Sequence, residues 1–243
     1  MHGAAPGDAT VDPARFAAAV AELDADVLAL QEVDRDQPRS GGADLAAWAA
    51  EAMGATHWHF APTVAGTPGL SGWRAAGGDV PAGRPAYGIA LLSRRPLQPE
   101  TIHFGAAPLF LPVFTGRGVV VAREEPRAAV VGVVEGDRGP VTVAATHLAF
   151  VPGWNVLQLR RLARHVTREG SAAVVLGDLN LGAGIAARVS GLTPLVQGAT
   201  FPVGRPRWQP DHVLVRGHRG VSAPHVRRLP VSDHRAVVVD VDL

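Results

Sequence analysis

The residues of this sequence whose types and spacing suit chemistry sit mostly at the ends of apolar runs. Asp178 and Asn180, in Gly177-Asp178-Leu179-Asn180, follow the run Ala172 to Leu176. Two residues apart on an extended backbone, they face one side. A carboxylate and an amide so placed suit a water, a hard cation or a phosphate oxygen, and an Asx-rich turn closing a strand reads from the same residues. His147, in Thr146-His147-Leu148, ends another β-rich run, where an imidazole can act as general acid, bind a phosphoryl oxygen or pack structurally. Glu32 closes the run Val27 to Leu30 after Gln31 and reads as a metal ligand or as a solvated carboxylate. Asp233 and His234 follow Ser232 just before the last apolar run, where a carboxylate beside an imidazole can hold a cation and orient a base, or cap a turn. Asp211 and His212 open a strand and point to opposite faces, so at most one joins a given site. Asp211 is the better candidate, because a carboxylate paired with a histidine fixes its tautomer and raises its basicity; His212 is left to packing. Tyr87 opens Tyr87-Gly88-Ile89-Ala90 and offers its phenol to a ligand or to the core.

The elements that must hold these side chains follow from the hydrophobic periodicity. Asp12-Pro13 reads as an N-cap with proline at the first helical position, and Phe16, Val20 and Leu23 recur at helical spacing, which predicts a helix over Pro13 to Leu23. Further helices are expected over Ala43 to Met53 and Gly153 to Arg168, the latter with Val156, Leu159, Leu162, Ala163 and Val166 in one stripe. Strands are expected over Asp26 to Glu32, Tyr87 to Ser93, Arg127 to Glu135, Val141 to Thr146, Ala172 to Leu176, His212 to Val215 and Arg235 to Val241. Pro62 to Pro85 and Gly105 to Gly118 lack periodicity and read as long loops, the apolar Leu109 to Phe114 being core packing or a contact for a lipid or protein. Many strands with few helices predict two packed sheets flanked by helices rather than a strictly alternating chain.

Composition sets the outer bounds. At 243 residues, with 47% hydrophobic and 19% charged, the chain fits one domain with a sizeable core, 1–243, and is neither disordered nor collagen-like. The 23 basic residues are all arginine and nearly balance 22 acidic ones, which excludes a strongly cationic coat but not a local arginine patch for phosphate. Zero cysteines exclude disulfides, thiolate nucleophiles and cysteine-ligated metals. With no basic-then-apolar leader and no apolar run near 20 residues, the expectation is a cytoplasmic protein without a transmembrane segment.

Taken in order, Glu at a strand end, Tyr-Gly before a strand, Thr-His-Leu, Gly-Asp-Leu-Asn, an Asp opening a strand and Ser-Asp-His near the end resemble the endonuclease/exonuclease/phosphatase superfamily. The resemblance runs from about Val11 to Val241 and includes Leu28 to Asp34, Glu125-Pro126-Arg127 and Gln158-Leu159-Arg160-Arg161-Leu162. It implies an α/β (α+β) four-layer sandwich of two mainly antiparallel β-sheets flanked by helices. It also implies Mg²⁺, or Mn²⁺, bound by Glu32 with Asp233 nearby. Asp178 would then orient the attacking water, Asn180 hold a phosphate oxygen, His234 paired with Asp211 act on the phosphoryl group, and His147 serve as general acid. Tyr87 and Asn155 are the candidate substrate contacts. Carboxylate and amide ligands of this kind suit Mg²⁺ or Mn²⁺ better than zinc.

The sequence departs from the family at its start. The family opens with a strand bearing a metal-site asparagine, whereas this chain has only Asn155 and Asn180, and Met1-His2-Gly3 resembles the residues just after that strand. The expectation is a sheet that lacks its first strand, about a dozen residues lying upstream of Met1, with unpaired backbone on the neighbouring strands. The functional expectation is a monomeric, metal-dependent phosphoesterase acting on a phosphodiester or phosphomonoester bond, either a nuclease or a small-molecule or lipid phosphodiesterase. Arg94-Arg95, Arg160-Arg161, Arg205, Arg207 and Arg227-Arg228 are too dispersed to mark a nucleic-acid track. The alternative is a non-catalytic remnant of the same fold that binds phosphate compounds weakly or not at all.

Overall fold

Short caps and close-packed apolar runs set the elements. In the computed structural model, which describes residues 4, 7–8, 10–69, 72–108, 110–115, 118–136, 138–168, 172–218 and 220–242, the Asp12 carboxylate accepts the Arg15 N–H at 3.1 Å and starts α1 (Pro13–Ala21). Asp44 caps α2 (Leu45–Met53) in the same way, through Ala47 N–H at 3.0 Å, and Gly54 ends it with a left-handed backbone. Along the chain, β1 (Val27–Arg35) lies between these helices, and β2 (His57–Gly66), β3 (Trp73–Ala75), β4 (Ala86–Ser93) and β5 (Gln98–Gly105) follow. Next come β6 (Phe110–Thr115), β7 (Gly118–Arg123), β8 (Arg127–Gly136), β9 (Gly139–His147), α3 (Trp154–Val166), β10 (Ala172–Asp178) and α4 (Ala183–Ser190). The chain closes with β11 (Thr193–Pro194), β12 (Asp211–Arg216), β13 (Gly220–Arg227) and β14 (Ala236–Asp242).

Two sheets form the body: β1-β4-β2-β3, and β11-β12-β10-β9-β8-β5. Their facing sides share one core, in which Ile89 and Leu91 meet Val130, Val143, Val174, Val213 and Val215. On the outer face of the first sheet, Phe16, Leu45, Ala49 and Met53 of α1 and α2 pack on Leu30, Phe60 and Leu92. On the outer face of the second, Leu159 and Leu162 of α3 and Ala186 of α4 pack on Ala129, Val131, Ala144, Val175 and Leu214. The result is the expected four-layer α/β sandwich of two mainly antiparallel sheets flanked by helices.

Several boundaries and two supposed loops change. Pro62 to Pro85 contains the end of β2 and all of β3, and Gly105 to Gly118 contains β6, which pairs with β7 in a separate hairpin. Residue 109 and the side chains of 110–122 lie outside what is described, and so does the suggested lipid or protein contact there. Met1-His2-Gly3 also lies outside.

Among the described residues, β1 is hydrogen-bonded to β4 alone and β14 to β13 alone. Between their open edges runs a groove walled by Val27 to Glu32 on one side and His234 to Val239 on the other. Each wall contains an unbroken apolar run, Val27 to Leu30 and Ala236 to Val239, the pattern of strands covered on both faces, yet Val27, Leu28, Ala29, Val237, Val238 and Val239 are only half-buried. The far end of the groove reaches Asp178 and Asp211.

Candidate active site

Strand register brings three of the expected residues into line. In the parallel pair β9–β10, Asp178 sits opposite His147, and in the antiparallel pair β10–β12, it sits opposite Asp211. Adjacent strands lie about 4.8 Å apart, so the three side chains crowd one end of the second sheet. Gly177 makes this approach possible: a Cβ there would stand 1.9 Å from the Thr146 carbonyl oxygen, and its φ of +146° is a glycine conformation. His234, from the segment leading into β14, closes the group by donating from Nδ1 to Asp211 Oδ2 at 2.8 Å. Single ligand atoms of Asp178, Asp211 and His234 lie within 4.8 Å of one another. Glu32 faces the same groove from β1, where the register slips between Leu30 and Val33 and Glu32 itself takes a φ of +58°. A non-glycine residue held there signals a side chain aimed for a purpose.

A second layer fixes these groups. The Tyr87 phenol is hydrogen-bonded to Glu32, and burial followed by the Glu32 charge raises its pKa well above the ordinary value. Arg39 lies over the Tyr87 ring and makes a two-pronged pair with the fully buried Asp34, at 2.8 and 2.6 Å. Below His147, Arg127 Nη1 reaches the imidazole at 3.0 Å while its Nε and Nη2 hold Glu124 at 3.0 and 2.8 Å. Burial, then the Arg127 charge, lower the His147 pKa well below the ordinary histidine value, so the ring is neutral near pH 7. Burial, then the nearby Asp211 carboxylate, raise Asp178 from 3.8 to about 7, with His234 opposing. Burial disfavours the charged form of His234, but its bond to Asp211 and the charges of Asp211, Asp178 and Asp233 outweigh that and raise its pKa. Two carboxylates this close, one resisting ionisation, with an imidazole and Glu32 alongside, make a hard donor set that fits a divalent cation.

The other expected residues fall as follows. Asn180 is not on the strand: β10 ends at Asp178, and an Asx turn follows in which Asn180 N–H donates to Asp178 Oδ1 at 2.9 Å with φ +50°. Asn180 therefore does not share a strand face with Asp178, and the turn leaves it beside the site through its N–H bond to the Asp178 carboxylate. Its amide also donates to the Leu148 carbonyl at 3.0 Å. Asn155 is 2% exposed and spends its amide on the Asn180 carbonyl at 2.9 Å, so it shapes this turn from within the protein. Tyr87 is likewise buried behind Glu32. Asp233 is exposed on the groove wall, outside the tight Asp178–Asp211–His234 group. His212 turns away from the site and pairs with the Leu181 carbonyl at 2.8 Å. Sequence reasoning gave no role to Arg127, Glu124 or Thr200. The available signal was Glu124-Glu125-Pro126-Arg127 at the head of an apolar run, since an arginine carried into a buried strand requires a partner.

Comparison with known proteins agrees with this geometry. A model of the Endonuclease/Exonuclease/phosphatase family matches residues 2–234. The chain belongs to the endonuclease/exonuclease/phosphatase family. Among solved structures, it is similar to a family member from Beutenbergia cavernae at 26% identity and a TM-score of 0.66, with 99% of this chain and 69% of that one covered. It also resembles truncated Caenorhabditis elegans TDP2, at 16% identity, TM-score 0.59 and coverage of 95% and 91%. A mannosyl-6-phosphatase from Bacteroides thetaiotaomicron matches at 13% identity, TM-score 0.57 and coverage of 95% and 90%. These last two likenesses show the family fold. No curated protein matches the sequence. Members of the family act as phosphoester hydrolases, and no helix among the described residues is long and apolar enough to cross a membrane.

Proposed function

We propose that this family member is a Mg²⁺- or Mn²⁺-dependent phosphoesterase that hydrolyses a phosphodiester or phosphomonoester bond. The observation that carries the reading is the register alignment of His147, Asp178 and Asp211, with His234 bonded to Asp211 at 2.8 Å and Glu32 facing them across the groove. Glu32 and the neighbouring carboxylates, with Asp233 at the rim, would hold the cation, which when bound neutralises charge on the phosphoryl oxygens. Asp178 orients the attacking water and takes its proton, a role suited to a carboxyl whose pKa lies near 7. His234, whose pKa the Asp211 carboxylate raises, stabilises charge developing on the phosphoryl group through Nε2. His147, neutral against Arg127, serves as a hydrogen-bond partner of a phosphoryl oxygen rather than as a proton store. Asn180 supports the same oxygens from the turn.

The mannosyl-6-phosphatase among the similar structures favours a phosphomonoester substrate, and TDP2 leaves nucleic-acid-linked phosphoesters in play. The test measures p-nitrophenol release from bis-p-nitrophenyl phosphate and from p-nitrophenyl phosphate with Mg²⁺, Mn²⁺ or EDTA. Metal-dependent release is expected, reduced at least about a hundredfold by Asp178→Ala and by His234→Ala, since both act where protons move or charge develops. Near-normal rates in either variant remove that residue from the mechanism. The open groove beside β1 favours one second reading, a domain of this fold that does not turn over, and absence of release with every metal would support it.

A further inference from the structure

We propose that Thr200 is a positioning residue for the Asp211–His234 pair, an inference that rests on the phosphoesterase reading above. Asp211 opens β12 while His234 precedes β14, and the two segments are not paired to each other as strands. Something must hold them in one geometry. Thr200 does so from a loop that belongs to neither. Its hydroxyl donates to Asp211 Oδ2 at 2.5 Å, the same oxygen that accepts His234 Nδ1–H at 2.8 Å. Its carbonyl accepts the Arg235 N–H at 2.9 Å, one residue after the imidazole. Its own N–H is held by the Trp208 carbonyl at 2.8 Å. All three polar groups of Thr200 are thus committed, and the residue is fully buried, so it touches neither solvent nor groove.

The flanking contacts point the same way. Phe201 lies against the His234 ring, with centroids 4.6 Å apart and planes tilted by 41°. Val203 N–H donates to the Asp233 carbonyl at 2.7 Å, and Arg235 Nε donates to the Val203 carbonyl at 3.0 Å. Residues 200–203 therefore run alongside 233–235 and fix the imidazole from below, while the Thr200 hydroxyl fixes the carboxylate that orients it. A carboxylate with one donor can pivot about that bond. With two donors on one oxygen, from residues anchored on separate segments, it keeps a single orientation, and His234 Nε2 keeps its aim into the groove.

The test compares Thr200→Val, which keeps the shape and removes the hydroxyl, with Thr200→Ser, which keeps the hydroxyl and removes a methyl. With p-nitrophenyl phosphate and Mg²⁺ or Mn²⁺, T200V is expected to lower kcat by at least about tenfold with KM nearly unchanged, the scale of a lost hydrogen bond to a charged group. T200S should retain most of the wild-type kcat. In parallel, the His234 Nδ1–H resonance, assigned by its absence in His234→Gln, is expected to shift or broaden in T200V and to persist in T200S. A T200V kcat equal to wild type, or T200S impaired as much as T200V, overturns the proposal. If the wild-type protein hydrolyses nothing, the phosphoesterase reading fails by itself; the resonance still decides for Thr200, and an unmoved signal in T200V refutes the positioning role. Should T200V fail to fold, Thr200→Ala carries the same two measurements.

Discussion

Replacing Asp178 by asparagine separates stability from activity in a way that depends on pH. Asp178 is 8% exposed, and burial together with Asp211 raises its pKa from 3.8 to about 7. Between those two values the folded state holds a proton that the unfolded chain has released, so stability falls as pH rises through this window, and the loss is complete above the folded pKa. At about 1.4 kcal/mol per tenfold change in acidity, the rise corresponds to roughly 4 kcal/mol. This rise is already net of the opposing attraction of His234 for the Asp178 carboxylate. Asparagine keeps the shape and an oxygen for the Asn180 N–H, now bound at 2.9 Å, and has no charge to pay for. Metal-free Asp178→Asn should therefore melt about 5 to 15 °C above wild type at pH 8, with the gap closing toward pH 4, while losing activity. Thermal denaturation in EDTA at pH 4, 6 and 8 measures it. A variant less stable than wild type at pH 8, or a difference independent of pH, would refute the argument that Asp178 is an electrostatically penalised group.

Two further expectations follow from the groove. Glu32→Gln removes a full negative charge from a hard-cation site, so the Mg²⁺ concentration for half-maximal rate should rise about tenfold or more, and an unchanged value would place the cation elsewhere. A fused apolar strand-forming segment that reaches the open edges of β1 and β14 should raise the melting temperature by several degrees, and an unchanged melting temperature would mean that these edges do not accept a strand. At Gly177, alanine would place its Cβ 1.9 Å from the Thr146 carbonyl oxygen at a φ of +146°, so Gly177→Ala should destabilise the protein by about 2 kcal/mol or more and reduce activity, as read by urea denaturation and phosphoester turnover.

The strands that sequence reasoning located are those covered on both faces. Tyr87 to Ser93, Arg127 to Glu135 and Ala172 to Leu176 are runs of β-branched and aliphatic residues, because nothing polar can stand in the layer between the sheets and the helices. What was missed lacks that pressure. β5 is an edge strand, largely exposed, whose Gln98-Pro99-Glu100 start reads as a turn. In β2, Pro62 falls where the register slips against β4, so the proline sits at a bulge and the strand passes for a loop. α4 opens on glycine and contains another, Gly184, which hides a helix of Ala183–Ser190. The site shows the same division. Asp178, His147 and Asp211 were legible because each interrupts an apolar run at a strand end. Thr200 was not, since its role comes from Asp211 and Arg235, 11 and 35 residues away, and no local pattern marks such a threonine.

The open edges described above also place the candidate site across a gradient of local stability. His147, Asp178 and Asp211 ride on β9, β10 and β12, each bonded to strands on both sides, whereas Glu32 and His234 ride on segments that border the groove. Amides along a strand bonded on one side only exchange with solvent through small openings, while those of doubly bonded strands wait for larger ones. The site is therefore divided between backbone expected to exchange slowly, under His147, Asp178 and Asp211, and backbone expected to exchange faster, under Glu32 and His234. Any ligand that bridges Glu32 or His234 to Asp178 ties the faster half to the slower one, so protection along Val27 to Leu30 and Ala236 to Val239 would report occupancy of the site before any product is formed.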